Sequence, residues 1–365
     1  MLNPKLSNII LLENEYKRYA RHLIVNQIGS NGQKRLFKAK ILLIGAGGLA
    51  SPSIIYLAAC GIGNIGIIDN DLVSESNLHR QILYNTNDLN NLKVQAAKSK
   101  INIINNKCKV TIYPYTLTIN NAQNIIKNYD LIIDTTDNFT TRYLISSICY
   151  KLHKVHIFGA IQNFEGQISV FNYKNGIQYT DLYPEYLYLE DNRCNEIGVL
   201  GILPGIIGLL QGIEAIKIIL GIGKILNGYL MQYNSLNMSF KTIKIQSRKI
   251  NLEKDKNHLD IIKQKKSNSI SKYTLKKIIA SSNPLIIDIR QNIEFELSHI
   301  KNAINIPIKN IHEMHTIQFI LYKSLKKILI IYCNDNSRSI TVSCILDRYQ
   351  INHYRLKNGF KEWKR

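Results

Sequence analysis

The sequence predicts an α/β protein, a doubly wound parallel sheet followed by a second, smaller α/β unit. Three observations carry that expectation. Between residues 41 and 150, short apolar runs alternate with amphipathic stretches, as strands and helices do around a parallel sheet. The first run, 41–44, opens directly into the turn Gly45-Ala46-Gly47-Gly48-Leu49-Ala50. Residues 251–269 (NLEKDKNHLDIIKQKKSNS) are charged and contain Ser and Asn, and beyond them strand and helix patterns begin again.

In order along the chain, residues 13–26 and 32–39 carry apolar positions at intervals of three and four and read as helices. The run 41–44 has no polar residue, which suits a strand covered on both faces. In the turn after it, Gly45 permits a tight bend, while Gly47 and Gly48 offer no Cβ to block a phosphate. The free N–H groups of the next helix then face the anion. A second strand, 65–68, ends in Asp69, placed as a carboxylate for ribose hydroxyls would be. A third, 130–134 (DLIID), runs into Thr135-Thr136-Asp137-Asn138. Residues 155–175 read as strand, turn and strand with Gly166 at the turn, and 177–200 as a loop. Segment 202–220 comes nearest to a membrane span. Gln211, Glu214 and Lys217 interrupt it at helical spacing, so it reads as a buried or half-buried helix, with no membrane partner. In the second unit, 285–289 and 328–332 read as strands and 340–349 as a helix.

The formal net charge of +21 invites a nucleic-acid partner, but the basic residues are Lys scattered among Asn, Ile and Tyr. That bias fits an AT-rich genome, and no compact Arg-rich stripe accompanies it, so no nucleic-acid role is expected. A basic surface should instead attract an acidic protein. The first apolar stretch is short and followed by Glu13 and Glu15, so no secretory signal is expected. None of the six Cys forms a C-x-x-C pair, which points to a reducing compartment rather than a disulfide framework.

A glycine turn of this kind would serve a dinucleotide dehydrogenase equally well. The residues beyond Asp69 separate the two: Ser76-Asn77-Leu78-His79-Arg80-Gln81 and then Lys93 bring cations to the nucleotide, and Asp137 brings a carboxylate. Cations neutralise charge developing on a phosphorus under attack and a carboxylate holds magnesium, so the set suits ATP with Mg2+. Asp137 has an alternative role as a helix N-cap, shared with Asn138. Among the thiols, Cys60, Cys108, Cys149 and Cys344 lie on apolar-patterned segments and read as small buried hydrophobes. Cys194 sits in polar sequence beside Arg193, which favours its thiolate. Cys333 ends a strand and precedes four residues and Arg338, a C-x4-R loop whose N–H groups can nest an anionic sulfur. A loop sized for phosphate would be one residue longer.

Residues 18–249 resemble the E1-like adenylyltransferases that activate ubiquitin-fold sulfur carriers, the MoeB/ThiF family. The matching stretches are RYARH at 18–22, GAGGLASP at 45–52, IDNDLVSESNLHRQ at 68–81, DTTDNFTTRY at 134–143, GAIQNFEGQISVF at 159–171 and GILPGIIGLLQGIEAIK at 201–217. Residues 271–365 resemble a rhodanese domain, on DIR at 288–290, EFELSHI at 294–300, AINIP at 303–307, YCNDNSRS at 332–339 and GFKEW at 359–363. The resemblance implies a Rossmann-like, E1/ThiF-type adenylylation domain over 1–250, a linker over 251–270 and a rhodanese domain over 271–365.

It further implies ATP held by Gly45, Gly47, Gly48, Asp69, Ser76, Asn77, Leu78, His79, Arg80, Lys93, Asp137 and Asn138. Arg21 would reach the neighbouring subunit's ATP, making a homodimer. Cys194 would join the carrier in a thioester or disulfide, and Cys333 with Arg338 would hold a persulfide. The implied partners are a small carrier protein ending in Gly-Gly and a persulfide donor such as a cysteine desulfurase. The small subunit of molybdopterin synthase leads as the carrier, with the thiamine-thiazole and tRNA-thiolation carriers as alternatives. A plastid stroma or bacterial cytoplasm fits the composition. One departure concerns zinc. Family members commonly hold it with two C-x-x-C pairs, but the regions 178–185 and 247–255 contain no Cys, and none lies between Cys194 and Cys333. No structural zinc is therefore expected, and Tyr179, Tyr183, Tyr186 and Tyr188 are expected to pack the loop instead.

Overall fold

The computed structural model describes residues 6, 9–174, 176–184, 198–246, 269–311, 313–325, 327–334 and 337–364. They form two units with separate sheets. In the first, strands β1 (Lys40–Ile44), β2 (Asn64–Ile68), β3 (Lys109–Tyr113), β4 (Leu131–Asp134) and β5 (Val155–Gln162) run parallel. Strands β6 (Glu165–Phe171), β7 (Tyr229–Asn234) and β8 (Ser239–Lys244) extend the sheet antiparallel. The spatial order is β3-β2-β1-β4-β5-β6-β7-β8. The chain thus grows outward from β1 first one way and then the other, leaving a crevice between the ends of β1 and β4.

The pleat sorts the central strands onto two cores. Ile41 and Leu43 join Ile65, Ile67, Ile133 and Ile157 on one face, under Ile54, Leu57 and Ile218. Leu42 and Ile44 join Ile68 and Ile132 on the other, under Ile126, Ile145 and Ile148. Both faces are covered, so a run without polar residues is what β1 requires. Each such side chain contributes about 1.5–3 kcal/mol by leaving water.

Helix Leu203–Leu220 is long and apolar enough to cross a membrane, yet 61% of it is buried inside the protein. Gln211 and Glu214 are buried, and Gly208 packs so closely that an added Cβ would overlap the carbonyl of Leu49. Ser53 Oγ donates to the carbonyls of both Leu49 and Gly208, tying this helix to Ala50–Ala59.

Two local expectations are corrected. Gly166 is not at the turn: it lies inside β6, opposite Ile161 and Tyr233. The side chain of Ile207 occupies the space a Cβ there would need, and Asn163 supplies the turn's positive φ of 52°. Residues 179–182 form a short helix rather than loop, because Tyr179 is drawn into an aromatic cluster with His156, Phe158, Phe171 and Tyr183. Two of the four tyrosines therefore pack as expected, while Tyr186 and Tyr188 lie outside the described residues.

In the second unit β9 (Ser269–Ile270), β10 (Leu285–Asp288), β11 (Ile304–Asn305), β12 (Leu329–Tyr332) and β13 (Tyr354–Leu356) are all parallel, ordered β11-β10-β12-β13-β9. The stretch 269–270, assigned to the linker, is an edge strand. It pairs with β13, and Ile270 is buried with Tyr332, Leu356 and Phe360. The rest of the linker lies outside the described residues. Strand β12 is buried throughout and delivers Cys333 at its end, and helix Ser337–Arg348 comes next.

Candidate active site

The crevice between β1 and β4 is a cavity of about 1000 Å³, at the upper end of the usual ligand-pocket range. Gly45, Gly47, Gly48, Asp69, Ser76, Asn77, Arg80, Lys93, Asp137 and Asn138 all line it. Gly45 adopts a φ of +98°, and a Cβ there would meet Thr135 Oγ1 at 2.9 Å. A Cβ on Gly48 would meet Pro204 at 2.9 Å, whereas Gly47 opens onto the cavity with only Gln81 Nε2 at 3.8 Å. The turn is fixed through Ala46, whose N–H donates to Asp69 Oδ2 at 2.7 Å while its carbonyl accepts from Tyr84 Oη at 2.8 Å. A bare backbone held this way suits a phosphate.

Three carboxylates face the cavity and differ in their commitments. Asp69 accepts from two backbone amides, those of Ala46 and Asp71. Burial pushes its carboxyl above the usual carboxylate range, and Lys93 with the two amides holds it back. Asp71 pairs with Lys93 Nζ at 2.7 Å. Asp137 is exposed and takes one long contact from Asn138 Nδ2, at 3.5 Å. Its alternative role belongs to Asn138, whose side chain accepts from the Thr141 N–H at 2.9 Å and caps helix Phe139–Lys151. Asp137 is therefore the carboxylate with capacity left for a cation.

Arg80 is aimed by two contacts, from Nη1 to the Ser76 carbonyl at 2.9 Å and to His79 Nε2 at 2.7 Å. The side chains of Leu78 and His79 are not among the residues lining the cavity: Leu78 packs on the core and His79 is exposed, its Nε2 against Arg80. Arg21 ends helix Glu13–Leu23, exposed and outside this cavity.

Sequence reasoning gave no role to three cavity residues. Asp71 stands two residues beyond Asp69, the period at which an extended chain returns to the same side. Gln81 is buried with its Oε1 lacking a partner. Arg142 lies one helical turn beyond the Asn138 cap, donates to the Thr136 carbonyl at 2.6 Å and sits over Phe139 and Phe158. The glycine cradle with Arg80, Lys93 and Arg142 fits a nucleotide triphosphate, while the unpartnered Gln81 oxygen can accept only from a ligand's N–H or O–H or from water. Among the described residues no group of three or more His, Cys, Asp or Glu could hold a metal ion unaided. A magnesium carried on phosphates asks for only one or two carboxylates.

Beneath the site lies Asp134, fully buried at the end of β4. His156 Nε2 meets its Oδ2 at 3.0 Å, and Thr136 donates twice to Oδ1, fixing the start of the 135–138 loop. Gln211 donates to its backbone carbonyl at 2.7 Å. Burial pushes this carboxyl up, but the hydrogen bond and attraction from His156, then Arg142 and Thr136, outweigh it and hold it below the usual range. The ionised form is thus favoured by folding. Its contribution is present above the unfolded value of about 3.9 and is lost as pH falls through the folded one. Asp134→Asn is expected to cost about 3–5 kcal/mol at pH 7. The gap from wild type should narrow below about pH 4. Thermal unfolding from pH 7 to pH 3 checks this, and a constant gap would show that the charge is irrelevant.

In the second unit Cys333 is fully buried, packed with Ile331 and Val342. The amides of Phe360 and Lys361 donate to the carbonyls of Cys333 and Asn334 at 2.8 and 3.0 Å. The guanidinium of Arg338, expected to close the loop on sulfur, lies against a carboxylate: Nη1 and Nη2 donate to the two oxygens of Glu294 at 2.7 and 2.9 Å. Those Arg338 bonds hold Glu294 below the usual carboxylate range. Nearby, buried Arg290 pairs with Asp288 at 2.7 Å and covers the Phe360 ring. Cys108 and Cys149 are buried and burial raises both thiols, Cys108 to about 12; Cys60 is half-buried and raised for the same reason. None of the three is poised as a thiolate. Cys194 lies outside the described residues.

A parallel sheet with a glycine turn at its switch point, and cations and carboxylates around one crevice, defines a nucleotide-binding α/β domain. A family model described as the ThiF family matches residues 19–254, and one described as a rhodanese-like domain matches 271–365. The chain belongs to the ThiF family and carries a rhodanese-like domain; it joins an adenylyltransferase to a sulfurtransferase unit. It is 50% identical over 361 residues, 97% of its length and 99% of the relative's, to a probable molybdopterin-synthase adenylyltransferase of Gracilaria tenuistipitata var. liui. A protein of the same name from Pyropia yezoensis is 46% identical over 371 residues, covering 100% of this chain and 97% of its own. A probable adenylyltransferase/sulfurtransferase MoeZ of Mycobacterium tuberculosis is 46% identical over 198 residues, 53% of this chain and 50% of that one. Among solved structures, E. coli MccB with MccA-N7isoASN reaches a TM-score of 0.57 over 68% of this chain and 75% of its own. At 19% identity that is a likeness of fold.

Proposed function

We propose that this enzyme adenylates the C-terminal glycine of a ubiquitin-fold sulfur carrier, the small subunit of molybdopterin synthase, and converts it to a thiocarboxylate with sulfur held on Cys333. The observation that carries the reading is the sorting of charges in the crevice. Asp69 is held by two amides beside the glycine turn, Lys93 is set by Asp71, Arg80 is aimed by Ser76 and His79, and Asp137 keeps capacity for a cation. Relatives named for molybdopterin synthase that align along nearly the whole chain support that carrier.

In this reading a carboxylate oxygen of the carrier attacks the α-phosphorus of ATP, and pyrophosphate leaves with the bonding electron pair. Arg80 and Lys93 neutralise the phosphate oxygens as charge builds, and Asp69 receives the ribose hydroxyls. Asp137 would hold magnesium, which supplies further charge neutralisation when bound. The outer sulfur of a Cys333 persulfide then displaces AMP from the acyl carbon. A thiol then takes the Cys333 sulfur as a disulfide and releases the thiocarboxylate, and exchange with a further cellular thiol restores Cys333. Cys194 would hold the carrier in a thioester or disulfide between the two reactions. Arg21 would complete the ATP site of a second subunit in a homodimer. A cysteine desulfurase would load Cys333, and a plastid stroma or bacterial cytoplasm would keep the thiols reduced. The carrier reaction asks nothing of zinc.

The test is to incubate the full chain with ATP, magnesium, a persulfide donor and each of the three candidate carriers, and read the carriers by mass spectrometry. Thiocarboxylate on the molybdopterin synthase subunit is expected. Modification of another carrier alone would reassign the substrate, and modification of none would overturn the reading.

A further inference from the structure

Glu294 stands in the first turn of helix Asn292–Leu297, and its carboxylate faces the guanidinium of Arg338 side by side, at 2.7 and 2.9 Å. Paired parallel hydrogen bonds of this kind are the strong form of the Arg–carboxylate contact. The carboxylate is itself held, because the Gln291 N–H donates to its Oε2 at 2.9 Å. Both side chains are about 30% exposed, at 29% and 32%, so an arriving donor meets the pair as a unit. The planar fork of Arg338, which would otherwise serve an incoming oxyanion, is committed to an internal anion. A negative charge stands beside it.

Sulfur donors divide on this feature. Thiosulfate carries a sulfonate group next to the sulfur to be transferred, and its oxygens call for a fork of donors. A persulfide on a thiol carries no oxyanion there, so backbone amides around the accepted sulfur suffice. Resting on the reading that Cys333 is the accepting thiol, we propose that Glu294 is a specificity-determining residue that turns this site from oxyanionic inorganic donors toward thiol-borne persulfides. With either donor the Cys333 thiolate attacks the outer sulfur and the donor's S–S bond breaks. Sulfite or the donor thiolate then leaves with the electron pair, and a new S–S bond stands on Cys333. No oxidant or reductant enters.

A double-mutant cycle on the full chain tests this, with thiosulfate and glutathione persulfide as donors and cyanide as acceptor. Glu294→Gln, which keeps volume and an acceptor for the Gln291 N–H, is expected to raise the thiosulfate-to-persulfide ratio of kcat/KM about tenfold, through a lower thiosulfate KM. In the wild-type background Arg338→Ala slows both donors and leaves that ratio within about threefold; in the Glu294→Gln background it removes the gain. A Glu294→Gln ratio that stays put or falls, or effects that simply add, would overturn the proposal and leave Glu294 a scaffold residue. Should Glu294→Gln not fold, the Arg338→Ala comparison decides alone. A drop in the ratio of about tenfold or more with Glu294 present would mean that the fork already serves thiosulfate. Cys333→Ala separates the two claims. If it still accepts sulfur, the Cys333 reading fails whatever Glu294 does; if it does not and the ratio is immovable, only the Glu294 inference fails.

Discussion

Asp137→Ala is expected to reduce carrier-dependent ATP–pyrophosphate exchange by at least about a hundredfold, with the fold intact. The size comes from the division of labour among the three carboxylates. Asp69 is taken up by two backbone amides and Asp71 by Lys93, so neither can turn to a cation without dismantling the glycine turn or the lysine. Among the described residues the Asp137 carboxylate takes a single hydrogen bond, from Asn138 at 3.5 Å, and caps nothing, so removing it leaves the surrounding loop with its own bonds to Asp134. Circular dichroism and thermal midpoint should stay near wild type while exchange collapses, and added magnesium should restore part of it. Exchange that survives unchanged would remove Asp137 from the reaction. A collapse shared by exchange and thermal midpoint would make it a structural residue.

Much of this site was legible because it depends on local geometry. A strand buried on both faces must be apolar throughout, and a turn that brings backbone to phosphate must lack Cβ atoms, so β1 and Gly45–Gly48 announce themselves in sequence. The features that stayed hidden depend on partners far along the chain. Gly166 looked like a turn residue because nothing nearby reveals that Ile207, on another helix, fills the space beside it. Residues 269–270 form a strand only because β13 offers an edge and Tyr332 and Phe360 a cover. Tyr179 begins a helix where its ring meets Phe158 and Phe171. The resemblance placed Leu78 and His79 at the nucleotide along with their neighbours, whereas the cavity is lined by Ser76, Asn77 and Arg80 of that stretch. Glu294 escaped notice for the same reason as Asp71: each matters through the cation it holds, and a pairing between distant positions leaves no periodic trace.

Cys333→Ala is expected to leave ATP–pyrophosphate exchange at the wild-type rate and to abolish both thiosulfate sulfurtransferase activity and thiocarboxylate formation. The two effects separate because the two chemistries occupy different sheets. The crevice between β1 and β4 is built from residues between Ile44 and Pro204, and Cys333 stands at the end of β12 in the other unit. Adenylation needs no sulfur; sulfur transfer needs a thiolate that can carry a second sulfur atom. Three other thiols whose surroundings are described, Cys60, Cys108 and Cys149, are not fitted for that, since burial raises each of them. The substitution removes one sulfur from a fully buried position beside Ile331 and Val342, so a stability loss of about 1 kcal/mol is expected and the unit should remain folded. Cys194→Ala should likewise spare exchange, yet slow the transfer step if that thiol holds the carrier between the two reactions. The measurement is paired: exchange with labelled pyrophosphate, and thiocarboxylate by mass spectrometry after a fixed time with a persulfide donor. Cys333→Ala protein that makes thiocarboxylate as fast as wild type would mean that sulfur reaches the acyl-adenylate directly from the donor. The rhodanese-like unit would then dock the donor rather than carry its sulfur.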